Sequence, residues 1–304
     1  MTLKQLEAFF WAARCSSFAV AAERLNLSTS SLSKRIAELE ASLGQLLFDR
    51  KHYRVSLTPA GAALLPRTQV LLDEAAAMRE LVQGCDVVQG ELRFGVGELS
   101  SQTWLPRMMS LAAKEYPGLQ LEPVIDTGVQ MEQRLESGEL DFAIIAGASA
   151  RNALRSYAIG SAHFTWVIAP GLPAEDLAQA LQDWPLVTMP QGAGTHRMLE
   201  EWLGRTGGVV HRRLSCNTWG AVASLLVEGI GLGFLPQSWA QPLIAQGSLI
   251  ALGAWPALNA LHYSFQVRAD DQRLVLAQVQ RLLERCVNFD VPIRFFQSHE
   301  FPGT

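Results

Sequence analysis

Residues Phe18 to Leu57 confine the amino-terminal part of this chain to one compact arrangement: two short helices split by a tight polar turn, an apolar return and a basic hairpin. In FAVAAERLNLSTSSLSKRIAELEASLGQLLFDRKHYRVSL, Ala21, Ala22 and Leu25 give a first helix its small apolar face. Asn26-Leu27-Ser28 breaks that helix, and Ser28 is placed to cap the next through its side-chain oxygen. A second helix is expected from about Thr29 to Leu43, because Leu32, Ile36, Leu39 and Leu43 recur at i, i+4, i+7 and i+11 and line one stripe. Ser30, Ser33, Lys34 and Ala37 then fall on the opposite side, where small polar and basic groups fit a major groove. Arg35 lies on the flank, within reach of phosphate. Leu46-Leu47-Phe48 returns apolar mass to the core, and Asp49 to Arg54 forms a basic wing that grips backbone or minor groove before Val55-Ser56-Leu57 resumes extended structure. This order is that of a winged helix-turn-helix.

The plainer alternative is an amphipathic helix pair whose charges merely face water. Against it stands the combination of a serine-rich helix start, a basic exposed face and a basic wing in the expected order. Charge supports the same division, although the whole chain carries −4. Met1 to Ala60 holds eight basic residues (Lys4, Arg14, Arg24, Lys34, Arg35, Arg50, Lys51, Arg54) against five acidic ones, a surplus of three, so the remainder carries −7. A basic module on an acidic body holds phosphate locally.

A length of 304 residues favours two or more domains, and 49% hydrophobic with 18% charged composition suits a soluble chain with sizeable cores. Lys4, Glu7 and Arg14 are interleaved with apolar residues at helical spacing, which is unlike a signal peptide, and no apolar run reaches the roughly 18 to 20 residues of a membrane span. The expectation is a cytoplasmic protein without membrane contact. Cys15, Cys85, Cys216 and Cys286 are far apart, with no Cys-x-x-Cys pair or zinc pattern, and read as reduced structural thiols in preference to a redox set. No metal, cofactor or catalytic set is expected.

Thr58 and Pro59 mark a capped helix start, and a long helix follows with Leu64, Leu65, Val70, Leu71, Leu72, Ala75, Met78, Leu81 and Val82 as apolar surface; Pro66 is expected to kink it or shorten its start. It reads as a linker pairing with a second copy of the chain in preference to packing on its own domain. Two reading helices would then lie about 34 to 36 Å apart, or a multiple of that. From Gly90 short strands alternate with helices, the pattern of an α/β body. Strands are expected at 92–97, 119–125, 141–146, 164–169, 186–189, 210–216, 232–235 and 262–268. Helices are expected at 103–115, 129–137, 174–182, 196–205, 221–228 and 272–287. The tail 288–304 has too little pattern to assign.

The residues that carry a resemblance are LKQLEAFFWAARCSSFAVAAERLNLSTSSLSKRIAELEASLGQLLFDR at the start, VSLTPAGAALL after the wing, LRFGVG, ELDFAII and LLVEGIGLGFLP. On these the chain resembles the LysR-type transcriptional regulators over nearly its whole length. The resemblance implies an α/β protein with an all-α winged helix-turn-helix at residues 1–58, a dimerising linker helix at 59–89 and an effector domain at 90–304 similar to type 2 periplasmic binding proteins. Lobe I would comprise 90–161 and 269–304 and lobe II 162–268, with crossovers near Gly160 and Arg268. It implies a sequence-specific regulator of transcription that binds double-stranded promoter DNA and is modulated by a small-molecule effector between the lobes. The partners would be a second copy or a homotetramer and RNA polymerase.

By that resemblance DNA contact falls on Thr29, Ser30, Ser33 and Lys34 and on Arg50 and Arg54 in the wing. Many members carry a glutamine-proline pair where this chain has Thr29-Ser30, so a typical base preference does not transfer. The resemblance also brings four segments to the cleft: Glu98 to Gln102, Thr127-Gly128, Gly192 to His196 and Asn217-Thr218. Glu98, Ser100, Ser101, Gln102, Thr127, Thr195, His196, Asn217 and Thr218 are the candidate effector contacts. Ser100, Ser101, Thr195 and Thr218 offer hydroxyls, helix starts offer N–H groups suited to an anion, and the competing role for each is plain capping. Many members have serine or threonine at the position of Leu99. An inward Glu98 would repel a carboxylate, so either the loop presents Ser100 or the ligand is neutral or cationic. Trp104 and Trp219 line either the cleft or the core.

Three other readings stay open at this level. An effector domain of this shape also suits ligand-independent control or control by a protein partner. A solute-binding protein would not need the amino-terminal reader. For an enzyme, Gly229-Ile230-Gly231-Leu232-Gly233 lacks the preceding strand and the spacing of a nucleotide loop, and His196 and His211 lack metal-ligand spacing.

Overall fold

The computed structural model describes residues 1–15, 17–49, 56–83, 90–271 and 273–293. Helix α1 (Leu3–Arg14) opens with a capping box, in which the Thr2 hydroxyl accepts from Gln5 N–H and the Gln5 side chain accepts from Thr2 N–H. Ser17 caps α2 (Phe18–Arg24) and Ser28 caps α3 (Thr29–Leu43). The turn between them passes through Asn26 at φ 52°, a left-handed conformation that asparagine tolerates better than most residues. Strands β1 (Phe48–Asp49) and β2 (Ser56–Leu57) pair antiparallel and form the base of a hairpin. Leu32, Ile36 and Leu39 of α3 are buried against Leu6, Phe9, Ala21 and Phe48, and the Phe48 ring meets Phe9 and Phe18 edge-on.

Helix α4 (Pro59–Gln83) runs through Pro66 without interruption, so its start is not shortened. One proline removes a single intrahelical bond, and Leu64 and Leu65 on the preceding turn pack on the reader core, which keeps the segment helical. Further along, Val70, Leu71 and Met78 are exposed.

The body contains two five-stranded sheets. The first runs β4 (Leu119–Ile125), β3 (Gly90–Val96), β5 (Phe142–Ala146), β12 (Leu261–Arg268), β6 (Leu154–Ala162). Its first three strands are parallel, and β12 is antiparallel to both neighbours. The second runs β11 (Ile250–Ala251), β7 (Phe164–Ile168), β10 (Leu232–Pro236), β8 (Leu186–Thr188), β9 (Arg213–Ser215). Helices α5 (Glu98–Gln102), α6 (Leu105–Glu115), α7 (Gly128–Glu136) and α12 (Leu274–Cys286) belong to the first lobe, and α8 (Leu177–Asp183), α9 (Gly194–Thr206), α10 (Trp219–Val227) and α11 (Gln237–Ala245) to the second.

Several features of the body depart from the sequence-based expectation, helix α11 and the two-residue strand β11 being elements that were not expected. Strand β12 lies in the first sheet, so the second crossover falls before Leu261 and not near Arg268, and lobe II ends some eight residues earlier than expected. Strand β6 was not expected: it pairs only with β12, and residues 155–161 between its buried ends are exposed or half-buried, which hides any alternation. The helix expected at 103–115 is α6, which starts two residues later at Leu105, and a short helix that was not expected, α5, precedes it across Thr103-Trp104.

The reader and lobe I are joined by buried charge. Asp141, whose side chain is 1% exposed, accepts from Arg24, from Arg273 Nη2 at 2.5 Å and from the Arg93 N–H at 2.8 Å. Arg14 Nη1 lies 3.3 Å from Asp271, Arg14 Nη2 donates to Asp270 O at 2.6 Å, and Arg268 donates to Arg14 O. The Trp11 ring receives the Arg24 guanidinium at 4.0 Å and that of Arg273 at 5.2 Å. These contacts hold the Asp141 carboxyl below the usual carboxylate range, the two arginines overcoming the opposing effect of burial, which is the largest single influence on it.

Candidate functional site

Two surfaces carry the candidate residues. The first is α3. Its N-cap Ser28 accepts from Ser31 N–H at 3.2 Å and donates to the Ser31 hydroxyl at 2.8 Å, which fixes the start of the helix. With Leu32, Ile36 and Leu39 turned inward, Thr29, Ser30, Ser33, Lys34 and Ala37 are all exposed, and Arg35 is half-buried beside them. The expected DNA face of α3 is therefore brought together as one continuous surface. Arg50 and Arg54, the expected wing contacts, lie outside the described residues.

Arg14 and Arg24 counted towards the basic surplus of the first sixty residues, yet both side chains are under 10% exposed and spent on Asp271 and Asp141. The cationic field of the reader thus rests on fewer residues than its composition suggests. No local signal marks this, because the partners lie more than a hundred residues away.

The second surface is formed where strands end. Strands β3, β4 and β5 finish side by side at Val96, Ile125 and Ala146, and β8 and β9 finish together at Thr188 and Ser215. The segments that follow these carboxyl ends carry every expected effector residue, as open α/β sheets place their ligands. Glu98 reaches across to lobe II, where Oε2 accepts the Trp219 N–H at 2.7 Å and Oε1 the Gly220 N–H at 3.4 Å. At a second point the lobes touch directly, since a Cβ at Gly194 would stand 2.6 Å from the Ala146 Cβ.

The remaining residues divide by what they bond. Thr218 caps α10, accepting from Ala221 N–H at 3.2 Å, and Ser101 donates to Glu98 O at 2.7 Å, so both hydroxyls are occupied locally. Ser100 and Thr195 are buried with hydroxyl oxygens that find no partner among the described residues, and the buried Gln102 Oε1 atom finds none there either. Thr127 stands exposed at the N-cap of α7 without a side-chain bond, Asn217 is exposed, and His196 Nδ1 lies 4.0 Å from Glu200. Trp104 and Trp219 are both buried in the main core. Cavities of about 490 and 410 Å³ lie between α8 and the end of α9 and, beside the interlobe contact, along Gly147, Gly194, Arg197, Glu201 and His262, so the expected segment 192–196 reaches the second through Gly194. None of the expected effector residues lines either.

Among the described residues no helix is long and apolar enough to cross a membrane, and no three His, Cys, Asp or Glu side chains gather as for a metal ion. Cys15, Cys216 and Cys286 are free, and burial pushes the Cys15 thiol up to about 11.

Known proteins share both parts of this architecture. Residues 3–62 match the family described as bacterial regulatory helix-turn-helix protein, lysR family, and residues 86–288 match the LysR substrate binding domain. The "probable hydrogen peroxide-inducible genes activator" of Mycobacterium avium is 31% identical over 265 residues, covering 84% of each chain. A hydrogen peroxide-bound mutant of OxyR from Corynebacterium glutamicum superposes with a TM-score of 0.59 at 26% identity, over 95% of both chains. LysG from the same organism, solved with its effector Arg bound, shares the fold at a TM-score of 0.59 and 20% identity, over 94% of this chain and 98% of that one.

Proposed function

From the premise that this chain belongs to the LysR family, as a DNA-binding transcriptional regulator with an effector-binding domain, we propose that its α3 face reads promoter DNA and that its interlobe cleft takes the effector. The observation that carries the DNA assignment is the exposed row Thr29, Ser30, Ser33 and Lys34 opposite the inward Leu32, Ile36 and Leu39; Leu43, expected on the same stripe, is exposed at the last turn of α3. Short hydroxyl side chains let the helix approach base edges closely, the Thr29 methyl suits a thymine, and Lys34 and Arg35 add phosphate contact. Arg50 and Arg54 are assigned to the wing's grip on the backbone.

The domain plan follows as reader 1–58, linker 59–89 and effector domain 90–304, with the second crossover moved to before Leu261. Exposed Val70, Leu71 and Met78 on α4 supply apolar surface for pairing with a second copy, giving a dimer or a tetramer in the cytoplasm. Such an assembly on promoter DNA is placed to meet RNA polymerase. An effector changes transcription here only through unequal affinity for two arrangements of the assembly, since equal affinity shifts nothing.

The test is a Ser33→Glu variant measured against a duplex from the chain's own upstream region. A carboxylate on that face meets phosphate, and like-charge opposition of this kind costs several kcal/mol, so affinity falls by at least about tenfold with the melting temperature unchanged. Unaltered affinity would remove α3 from the interface.

A further inference from the structure

The first turn of α10 is satisfied from the opposite lobe. Trp219 and Gly220 N–H groups go to the two Glu98 oxygens, Ala221 N–H goes to Thr218 Oγ1, and Val222 N–H to Thr218 O begins the helical ladder. A helix start bears partial positive charge and unpaired N–H groups, so an anion is the group it favours. Here a carboxylate is already seated there, contributed by a residue 121 positions earlier in the chain. On the same short helix as Glu98, the Ser100 hydroxyl is fully buried without a partner among the described residues, and so are the Gln102 Oε1 atom and, on α9, the Thr195 hydroxyl.

We propose that Glu98 determines which effectors this regulator accepts: it supplies from within the chain the carboxylate that α10 would otherwise take from a ligand. The native cleft therefore turns away ligands that would set a carboxylate on α10. Of the groups left unpartnered, Gln102 Oε1 only accepts and the Ser100 and Thr195 hydroxyls both donate and accept, a set that suits a ligand bearing N–H or O–H donors and no carboxylate at α10. The assignment rests on reading this cleft as the effector site.

Chemical rescue of the full-length protein tests it, with sodium acetate as the probe and sodium chloride at equal ionic strength as the reference. In Glu98→Ala the Trp219 and Gly220 amides lose their acceptors and exchange hydrogen faster than in the native protein. Acetate restores their protection and raises the melting temperature saturably by about 2–4 °C, whereas the native protein shows no acetate-specific change. Glu98→Gln keeps the shape without the charge and leaves one acceptor oxygen for two N–H groups, so at least one of the Trp219 and Gly220 amides exchanges faster than native, and acetate does not rescue it, because the position is filled. Three results would overturn the proposal: an acetate response shared equally by native protein and Glu98→Ala, no acetate response in a folded Glu98→Ala, or native exchange rates in Glu98→Gln. The readout does not involve DNA or effector. A native protein that responds to no small molecule would instead overturn the cleft reading and leave the rescue intact.

Discussion

Cys15 illustrates how far a single residue's chemistry is set by what is packed on it. Its thiol is buried at the end of α1 against Gly138 of lobe I, with Sγ 3.9 Å from Gly138 O, and desolvation holds its pKa at about 11. The thiolate is the reactive species, so at pH 8 iodoacetamide should leave Cys15 unmodified in the folded protein and label it only after urea unfolding. Mass spectrometry of the alkylated peptides reads this, and rapid labelling of Cys15 in the native protein would show that the reader does not sit on lobe I. At this scale the sequence is legible where the deciding contacts are local. Ser28 as a cap and Ser30, Ser33 and Lys34 as an outward face follow from helical spacing alone. Arg14 and Arg24 are illegible in the same stretch, because what makes them structural is Asp271 and Asp141, brought near only by the tertiary fold.

Between elements, the decisive contacts are those that close the two lobes on each other. Gly194, the first residue of α9, abuts Ala146 at the end of β5, and a methyl group there would meet the Ala146 Cβ at 2.6 Å. Gly194→Ala therefore forces the lobes apart or strains the loop, at a cost of about 1–3 kcal/mol for overpacking. Urea denaturation gives that loss, and faster hydrogen exchange at Trp219 and Gly220 should accompany it, since the Glu98 bridge spans the same gap; native stability and exchange would contradict the closed arrangement. Elements with strong periodicity, such as α3, α9 and α12, were readable within a few residues. Strand β6 is an edge strand with only its ends buried and α11 carries Pro242, so each lacks the pattern by which a sequence announces an element, whereas β9, exposed at all three positions, still falls inside the strand expected at 210–216. The assignment of β12 to the first sheet is a matter of long-range pairing, which no local pattern encodes.

For the molecule as a whole, the charge that ties reader to effector domain makes stability depend on acid. Asp141, Asp271 and Asp270 all have folded-state values below the usual carboxylate range, with burial opposing and neighbouring arginines prevailing. With the folded value depressed, the unfolded chain takes up the proton first as pH falls. Their contribution is complete above the unfolded value of about 3.9 and is lost progressively as pH drops through the lower folded values. Urea unfolding at a series of pH values should show stability declining below about pH 4–5. Asp141→Asn should be less stable near neutrality, since one acceptor of a buried cluster becomes an amide, and should show a shallower acid dependence; a native-like slope in that variant would place the acid sensitivity elsewhere. The division into a basic reader on an acidic body was legible from composition, and the two lobes from alternating elements. That the reader lies on lobe I, with the α3 face left open, was not.

The central claim, that this open face grips duplex DNA, is tested most directly by the salt dependence of binding to the chain's own upstream region in native protein and in Lys34→Ala. The native protein should prefer that region over unrelated duplex. The variant should bind more weakly while its slope of log affinity against log salt becomes shallower by about one unit, the loss of one phosphate contact. Identical slopes and affinities, or a native protein with no preference for its own region, would contradict the account.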